Sequence, residues 1–181
     1  LIMCPFFVEA FSIAEKAPEY MEFVVGLGRG RQLVRFDMRG TGLSQHDAAD
    51  FTLQALTLDI KAVARALKLR RFVLYGAGLS GPRAIAYAAA YPRDVSHLVL
   101  YSTFVRPDDV MPPGASQGFA EIARANWPMA AQALVDLSGR ERVSDLNVRA
   151  AQMIRDSATG ETAARLLEGG RATSDVSSML G

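Results

Sequence analysis

The chain has 181 residues, of which 50% are apolar and 22% charged, a balance that supports one well-packed core in an ordinary globular domain. Its formal net charge is only +1, and its densest basic cluster is Lys68, Arg70 and Arg71, far from the basic footprint of a nucleic-acid-binding surface. The longest unbroken apolar run, Ala84 to Tyr91, is too short to cross a bilayer, so neither nucleic acid nor membrane is expected as a partner of this segment.

A single cysteine, Cys4, excludes an internal disulfide and sits in an apolar run, where it reads as a small buried hydrophobe. Nothing resembles a signal peptide, and a cytoplasmic setting is expected. No Cys, His and carboxylate cluster has metal-ligand spacing, so no metal and no cofactor are expected. The chain opens directly on the strand-like Leu1-Ile2-Met3-Cys4, which reads as a piece of something longer.

Leu1 to Cys4 predicts a short buried strand ended by Pro5, and Ala17 to Leu27 a helix with Tyr20, Phe23, Val24 and Leu27 on its apolar face, stopped by Gly26, Gly28 and Gly30. Gln32 to Phe36 predicts a second strand, followed by the loop Asp37-Met38-Arg39-Gly40-Thr41-Gly42-Leu43-Ser44, whose glycines allow backbone angles closed to other residues. Thr52 is a suitable N-cap for a helix carrying Leu53, Leu56, Ile60, Val63, Ala64 and Leu67 on one stripe. A third strand over Phe72 to Tyr75, a helix over Gly81 to Tyr91 and a fourth strand over His97 to Tyr101 follow.

Apolar strands alternating with helices argue for an α/β fold with about four mostly parallel strands covered on both faces. After Met111-Pro112-Pro113-Gly114 the pattern changes to helices without strands. Val143, Leu146, Ala150, Met153 and Ile154 form one stripe, and Ala163, Leu166 and Leu167 begin another. The expected division is a core over residues 1–110 and a helical cap over 111–181.

Residues 72–91 run strand, glycine turn, helix. In a G-x-S-x-G elbow this layout forces a serine into a strained backbone conformation at a strand's end, where its hydroxyl stands clear of the sheet. Here Gly76 takes the first small position, Gly78 the apex and Ser80 the second small position. Glycine at the apex keeps the bend and removes the nucleophile. Ser80 offers a rival register but enters the start of the helix, where it reads as a helix cap, with Pro82 in the first turn.

Gly76-Ala77-Gly78-Leu79-Ser80-Gly81 also satisfies G-x-G-x-x-G, the dinucleotide-binding fingerprint, with Gly76, Gly78 and Gly81 as its glycines, and GAGLSG resembles the opening of flavin-binding oxidoreductases. That reading wants an acidic residue at the end of the next strand for the ribose hydroxyls. The next strand ends Leu100-Tyr101-Ser102-Thr103, with no carboxylate before Asp108. A flavin- or NAD-binding domain stays as a rival on the glycines alone.

The run from Arg31 to Phe104, through LVRFDMRGTGLS at 33–44, the elbow region and AIAYAAAYPRDVSHLVLYSTF at 84–104, resembles the α/β-hydrolase family. It is most similar to the hydrolase-like domains fused to bacterial LuxR-type regulators or nucleotide cyclases, and the tail with ETAARLLEGG resembles the cap of that group. The resemblance implies oxyanion-hole-equivalent N–H groups from Phe7 and Leu79, with Phe6 departing from the family's glycine. It places the acid and the histidine after the cap, beyond Gly181, and makes the chain a partial fold lacking two strands at each end. The edges of such a sheet call for missing chain or a second copy alongside them.

Among the remaining candidates, His97 starts a strand at the end of the sheet opposite the elbow and reads as structural. His46 follows the glycine loop on the ligand-binding side of an open α/β sheet and is the other weak catalytic candidate, although a surface loop is the plainer reading. Asp37 and Arg39 read as an ion pair holding that loop. Trp127, Phe119 and the methionines fit either cap packing or a ligand-lining surface. The expectation is a hydrolase-like domain, non-catalytic as it stands, that takes a small apolar ligand between core and cap. The alternative is an active esterase-type hydrolase completed by residues downstream.

Overall fold

The computed structural model describes residues 1–5, 10, 18–112, 114–137, 145–173 and 175–180. Its centre is a parallel sheet of three strands, β1 (Ile2–Met3), β2 (Phe72–Ala77) and β3 (Val95–Tyr101), in that spatial order. Ile2 pairs with Leu74, and β2 runs beside β3 from Phe72 opposite Val95 to Ala77 opposite Tyr101. The expected second strand over Gln32 to Phe36 is reduced to one parallel bridge between Val34 and Ile2. The Met3 amide donates to the Val34 carbonyl at 3.0 Å and the Val34 amide to Leu1 at 2.9 Å, so this segment lies outside β1 without forming a ladder. A two-residue partner offers no more length to pair with.

Helices cover both faces, because every strand residue of β1 and all but one of β2 is buried. On one face α2 (Leu53–Ala66) and α3 (Gly81–Ala90) press Ile60, Ala64, Ala84 and Tyr87 onto Ile2, Val34, Phe72 and Leu74. On the other, Tyr20 and Leu27 of α1 (Pro18–Gly28) pack with Leu33 against Met3, Tyr75 and Ala77. Gly26 does not stop α1; the helix continues to Gly28, and the left-handed turn falls at Gly30, φ +70°. Thr52 caps α2 as its sequence predicts, its Oγ1 accepting from the Ala55 amide at 3.3 Å.

The second half is helical: α4 (Ala115–Ala125), α5 (Trp127–Leu137), α6 (Asp145–Ser157) and α7 (Gly160–Thr173). Pro113 and Val143, which the sequence reading used, lie outside the described residues. Small side chains let these helices approach closely. Ala120, Ala123, Ala130, Ala163 and Ala164 share one buried cluster with Met38, Phe51 and Leu56 of the first half, joined at its margin by Phe119 and Trp127. A methyl group on Gly160 would lie 2.1 Å from the Ala123 carbonyl oxygen, a distance only glycine permits. Trp127 Nε1 donates to the Ala158 carbonyl at 2.8 Å, tying the start of α5 to the residue that follows α6.

Candidate functional site

The carboxyl end of β2 turns into α3 through a single 3₁₀ turn, Gly78–Ser80. Gly78 adopts φ +51°, the left-handed conformation in which a side chain costs energy and glycine costs little. Two neighbouring glycines are required by contact. A Cβ on Gly76 would sit 2.7 Å from the Ala84 Cβ, and one on Gly81 would sit 1.8 Å from Thr103 Oγ1. Thr103 Oγ1 donates to the Gly78 carbonyl at 2.6 Å, tying the chain beyond β3 to the apex.

Ser80 is fully buried, at 0% exposure. Its hydroxyl donates to the Ala77 carbonyl at 2.8 Å and accepts from the Ala77 amide at 2.9 Å. It therefore clasps the turn back onto the strand and makes no capping bond to α3, contrary to the cap expected from sequence. Ser80 does stand at the N-cap position, immediately before Gly81, but as the last residue of the 3₁₀ turn it has helical backbone angles, φ −87° and ψ −11°, instead of the extended ones of a capping residue, and its hydroxyl turns back to Ala77. Leu79, by contrast, is 36% exposed and faces a cleft. Phe7, the other expected oxyanion-hole residue, lies outside the described residues, as does Phe6.

That cleft, about 80 Å³, opens between the turn and the second half of the chain. Leu53, Leu56, Leu79, Phe104, Leu166 and Leu167 supply most of its apolar wall, with Arg83 and Ser116 as polar members. Arg83 is 5% exposed. Its Nη2 donates to the Pro5 carbonyl at 3.1 Å and its Nη1 to Met38 Sδ at 2.7 Å. Burial pulls the guanidinium below its ordinary pKa, and the Asp59 carboxylate opposes this. The adjacent Cys4 is buried and its thiol is pushed up to about 12, so it is held protonated and inert.

The glycine loop before α2 lies on the same side. Asp37 Oδ2 accepts from the Leu43 amide at 3.0 Å, and the Gly42 amide donates to Ser157 of α6 at 2.9 Å. Gly42, at φ +52°, leaves no room for a Cβ, which would lie 2.2 Å from Asp37 Oδ2. The expected Asp37–Arg39 pairing is replaced. Arg39 forks onto Asp59 of α2, with Nη2 to Oδ1 at 2.6 Å and Nε to Oδ2 at 2.8 Å, and also donates to the Asp50 and Ala55 carbonyls. Its guanidinium pKa is raised first by that hydrogen bond. Asp59 is a helix position away in sequence that only the tertiary fold brings into reach.

His46 is exposed, and its Nε2 donates to the Gly42 carbonyl at 2.8 Å, which fixes the ring proton on that nitrogen. His97 is exposed on β3 near its start. The turn thus brings together Gly76, Gly78, Leu79, Ser80 and Gly81, while His46 is bound within its own loop. Sequence reasoning passed over Arg83 and Thr103. The signal for Arg83 was available, a lone cation in the apolar helix GPRAIAYAAA; none marked Thr103 as the bracket of the apex.

Among the described residues no group of His, Cys, Asp and Glu is placed to hold a metal ion, and no helix is long and apolar enough to cross a membrane.

A strand, a positive-φ glycine apex and a helix beneath a helical annex are the frame of a hydrolase elbow. The profile of the family described as alpha/beta hydrolase fold matches residues 13–168, and the chain belongs to that family. Among solved structures it is similar to a hydrolase from Pseudomonas aeruginosa PA01, with TM-score 0.78 and 20% identity over 99% of this chain and 66% of that one. An esterase from Exiguobacterium antarcticum gives TM-score 0.77 and 18% identity over 97% and 67% of the two chains. A thermophilic esterase from Thermogutta terrifontis, with malate bound, gives TM-score 0.77 and 23% identity over 98% and 65%. At such identities the likeness shows the fold alone. The chain spans about two thirds of the length of the structures it matches. No protein of curated function matches its sequence.

Proposed function

We propose that this chain is a hydrolase-fold domain that binds a small, largely apolar molecule in the cleft beneath its helical cap and does not turn it over, serving a regulatory rather than a catalytic role. In this reading residues 1–110 form the core and 111–181 the cap. The observation that carries it is the apex itself: Gly78 holds the φ of +51° expected of a nucleophile position and has no side chain, while the hydroxyl of the turn, Ser80, is fully buried and doubly bonded to Ala77, and the Thr103 hydroxyl is spent on the Gly78 carbonyl. Acyl transfer in this fold needs a hydroxyl or thiol activated by a base within hydrogen-bond reach. A hydroxyl whose proton and lone pair are both engaged by the backbone of its own turn does not meet that need.

The retained elbow, with Gly76 and Gly81 packed as a working site would pack them, supports a domain that kept its ligand space when it lost its nucleophile. The test is hydrolysis of short p-nitrophenyl esters by the wild-type protein and by Ser80→Ala. Both are expected to remain at the buffer rate. Turnover in the wild type that disappears in Ser80→Ala would overturn the reading in favour of an active esterase, and a yellow, flavin-loaded preparation would overturn it in favour of the dinucleotide-binding rival.

A further inference from the structure

The cleft beneath the cap has a small volume and a wall made mostly of hydrocarbon, from Leu53 and Leu56 of α2, Leu79 of the turn, Phe104 beyond β3 and Leu166 and Leu167 of α7. Among the described residues Arg83 is the one charged side chain in its lining, and Ser116 is the one hydroxyl. Both are only 5% exposed and both are already engaged inside the protein, Arg83 through Pro5, Met38 and further interactions. A charged group drawn into the cleft would therefore exchange its water for apolar atoms, and a cation would face the Arg83 charge as well. Size sets a second limit. A closed apolar cavity of about 150 Å³ is known to hold the six carbons of benzene, so the 80 Å³ here has room for roughly three or four.

We propose that the cleft reads the length and the charge of an alkyl chain: it encloses the last roughly three or four carbons of an unbranched, uncharged molecule and leaves everything beyond them at the rim, where Val110 is 58% exposed. The inference rests on the non-hydrolytic reading above and assigns that site a ligand class, short neutral alkyl compounds. A charge on a four-carbon chain falls inside the apolar wall and is rejected. The same charge on a six-carbon chain reaches the rim and is tolerated.

NMR titration of the wild-type protein with the straight-chain alcohols from ethanol to hexanol, and with butyrate, butylammonium and hexanoate, tests this directly. Affinity is expected to rise about fourfold per methylene up to butanol, the usual gain of burying one such group, and to flatten through hexanol. Butyrate and butylammonium are expected to bind at least tenfold more weakly than butanol, and hexanoate within about threefold of hexanol. Leu79→Ala, a change in a partly exposed wall residue that the fold tolerates, is expected to move the plateau outward by about two carbons. Val110→Trp at the rim is expected to weaken every alcohol at least tenfold. An affinity that keeps rising fourfold per carbon through hexanol would overturn the length limit, and butyrate or butylammonium binding as tightly as butanol would overturn the exclusion of charge. Hydrolysis of ethyl butyrate would overturn the non-catalytic reading, with the alcohol series still deciding the length limit. No binding by any alcohol at tens of millimolar would overturn the pocket itself.

Discussion

Thr103 Oγ1 sits 2.6 Å from the carbonyl oxygen of Gly78, so the first residues after β3 hold the apex of the turn that follows β2. The same hydroxyl occupies the space a side chain on Gly81 would need, with Thr103 Oγ1, Cβ and Cγ2 at 1.8, 2.5 and 2.7 Å from that position. Adjacent parallel strands are thereby locked together at their carboxyl ends. Thr103→Val removes the bond at similar volume and is expected to cost about 1 kcal/mol, the net worth of one such hydrogen bond. Gly81→Ala forces the threonine aside and is expected to cost about 2 to 3 kcal/mol through overpacking. Urea denaturation of the two variants checks the order; a Gly81→Ala protein as stable as wild type would mean that Thr103 yields freely.

Gly78→Ser would place a hydroxyl at the apex of the turn. The left-handed backbone at this residue, φ +51°, penalises any Cβ, so a loss of roughly 1 to 2 kcal/mol is expected. No esterase activity is expected from this change by itself. His46 is exposed and its Nε2 donates to the Gly42 carbonyl of its own loop, and among the described residues no hydrogen bond joins its ring to the apex. A burst of p-nitrophenol from the Gly78→Ser protein is the result that contradicts this, and it would place a functional base within reach of the apex.

At the opposite end of the sheet, Asp94 accepts from Lys61 Nζ at 2.5 Å and from the Tyr87 hydroxyl at 2.9 Å, with Lys61 also 4.1 Å from the centre of the Tyr91 ring. The Lys61 bond holds the Asp94 carboxyl below its ordinary range, and burial, followed by the Asp94 bond, pushes the Tyr87 phenol far upward. A carboxyl depressed in the folded state adds stability that is complete above its unfolded pKa, about 3.9, and is lost as pH falls through the lower folded value. Asp94→Asn is therefore expected to lower stability at pH 7 and to narrow its gap from wild type below pH 4. The gap should be modest, since both ion-pair partners are nearly a third exposed. Thermal melts at pH 7 and pH 3 read it, and a gap that widens at low pH would reverse the sign.

The Arg39 fork carries the loop after the Val34 segment onto α2. Losing two bonds to the Asp59 carboxylate and two to carbonyls in Arg39→Ala is expected to cost about 2 kcal/mol, or roughly 4 to 8 °C in Tm for a chain of this size. Arg39→Lys should recover less than half of it, because an ammonium cannot span both carboxylate oxygens and the two carbonyls. Scanning calorimetry of the two variants decides between a fork and a simple charge.

Periodicity and turn chemistry made most of this architecture readable. The Leu53, Leu56, Ile60, Ala64 stripe and the Thr52 cap belong to α2 as expected, and the glycine spacing marked the bend at Gly78. What eluded the sequence depended on partners far along the chain. Gln32 to Phe36 has strand composition, yet among the described residues the strand beside it is the two-residue β1, which it meets in a single bridge at Val34. Arg39 found Asp59 rather than Asp37 because α2 packs beneath the loop, a contact no local pattern encodes. Ser80 matched the composition of an N-cap, but the 3₁₀ turn ahead of α3 redirected its hydroxyl to Ala77. The burial of Arg83 in the wall of the cleft became visible only once Met38 and Pro5 were seen around it.

The outer edge of β3 carries the last prediction. Its side chains Val99, Leu100 and Tyr101 are 42, 39 and 66% exposed, and among the described residues the strand makes ladder bonds to β2 on one side only. An apolar strand edge with free amides and carbonyls is a template for another strand. The 181-residue chain is therefore expected to self-associate, sedimenting as a dimer or larger species at micromolar concentration. Tyr101→Lys and Val99→Lys place charge along that edge and should shift it to monomer without altering its circular dichroism, since both side chains already face outward. A wild-type chain that stays monomeric across the concentration range would show that this edge needs no cover.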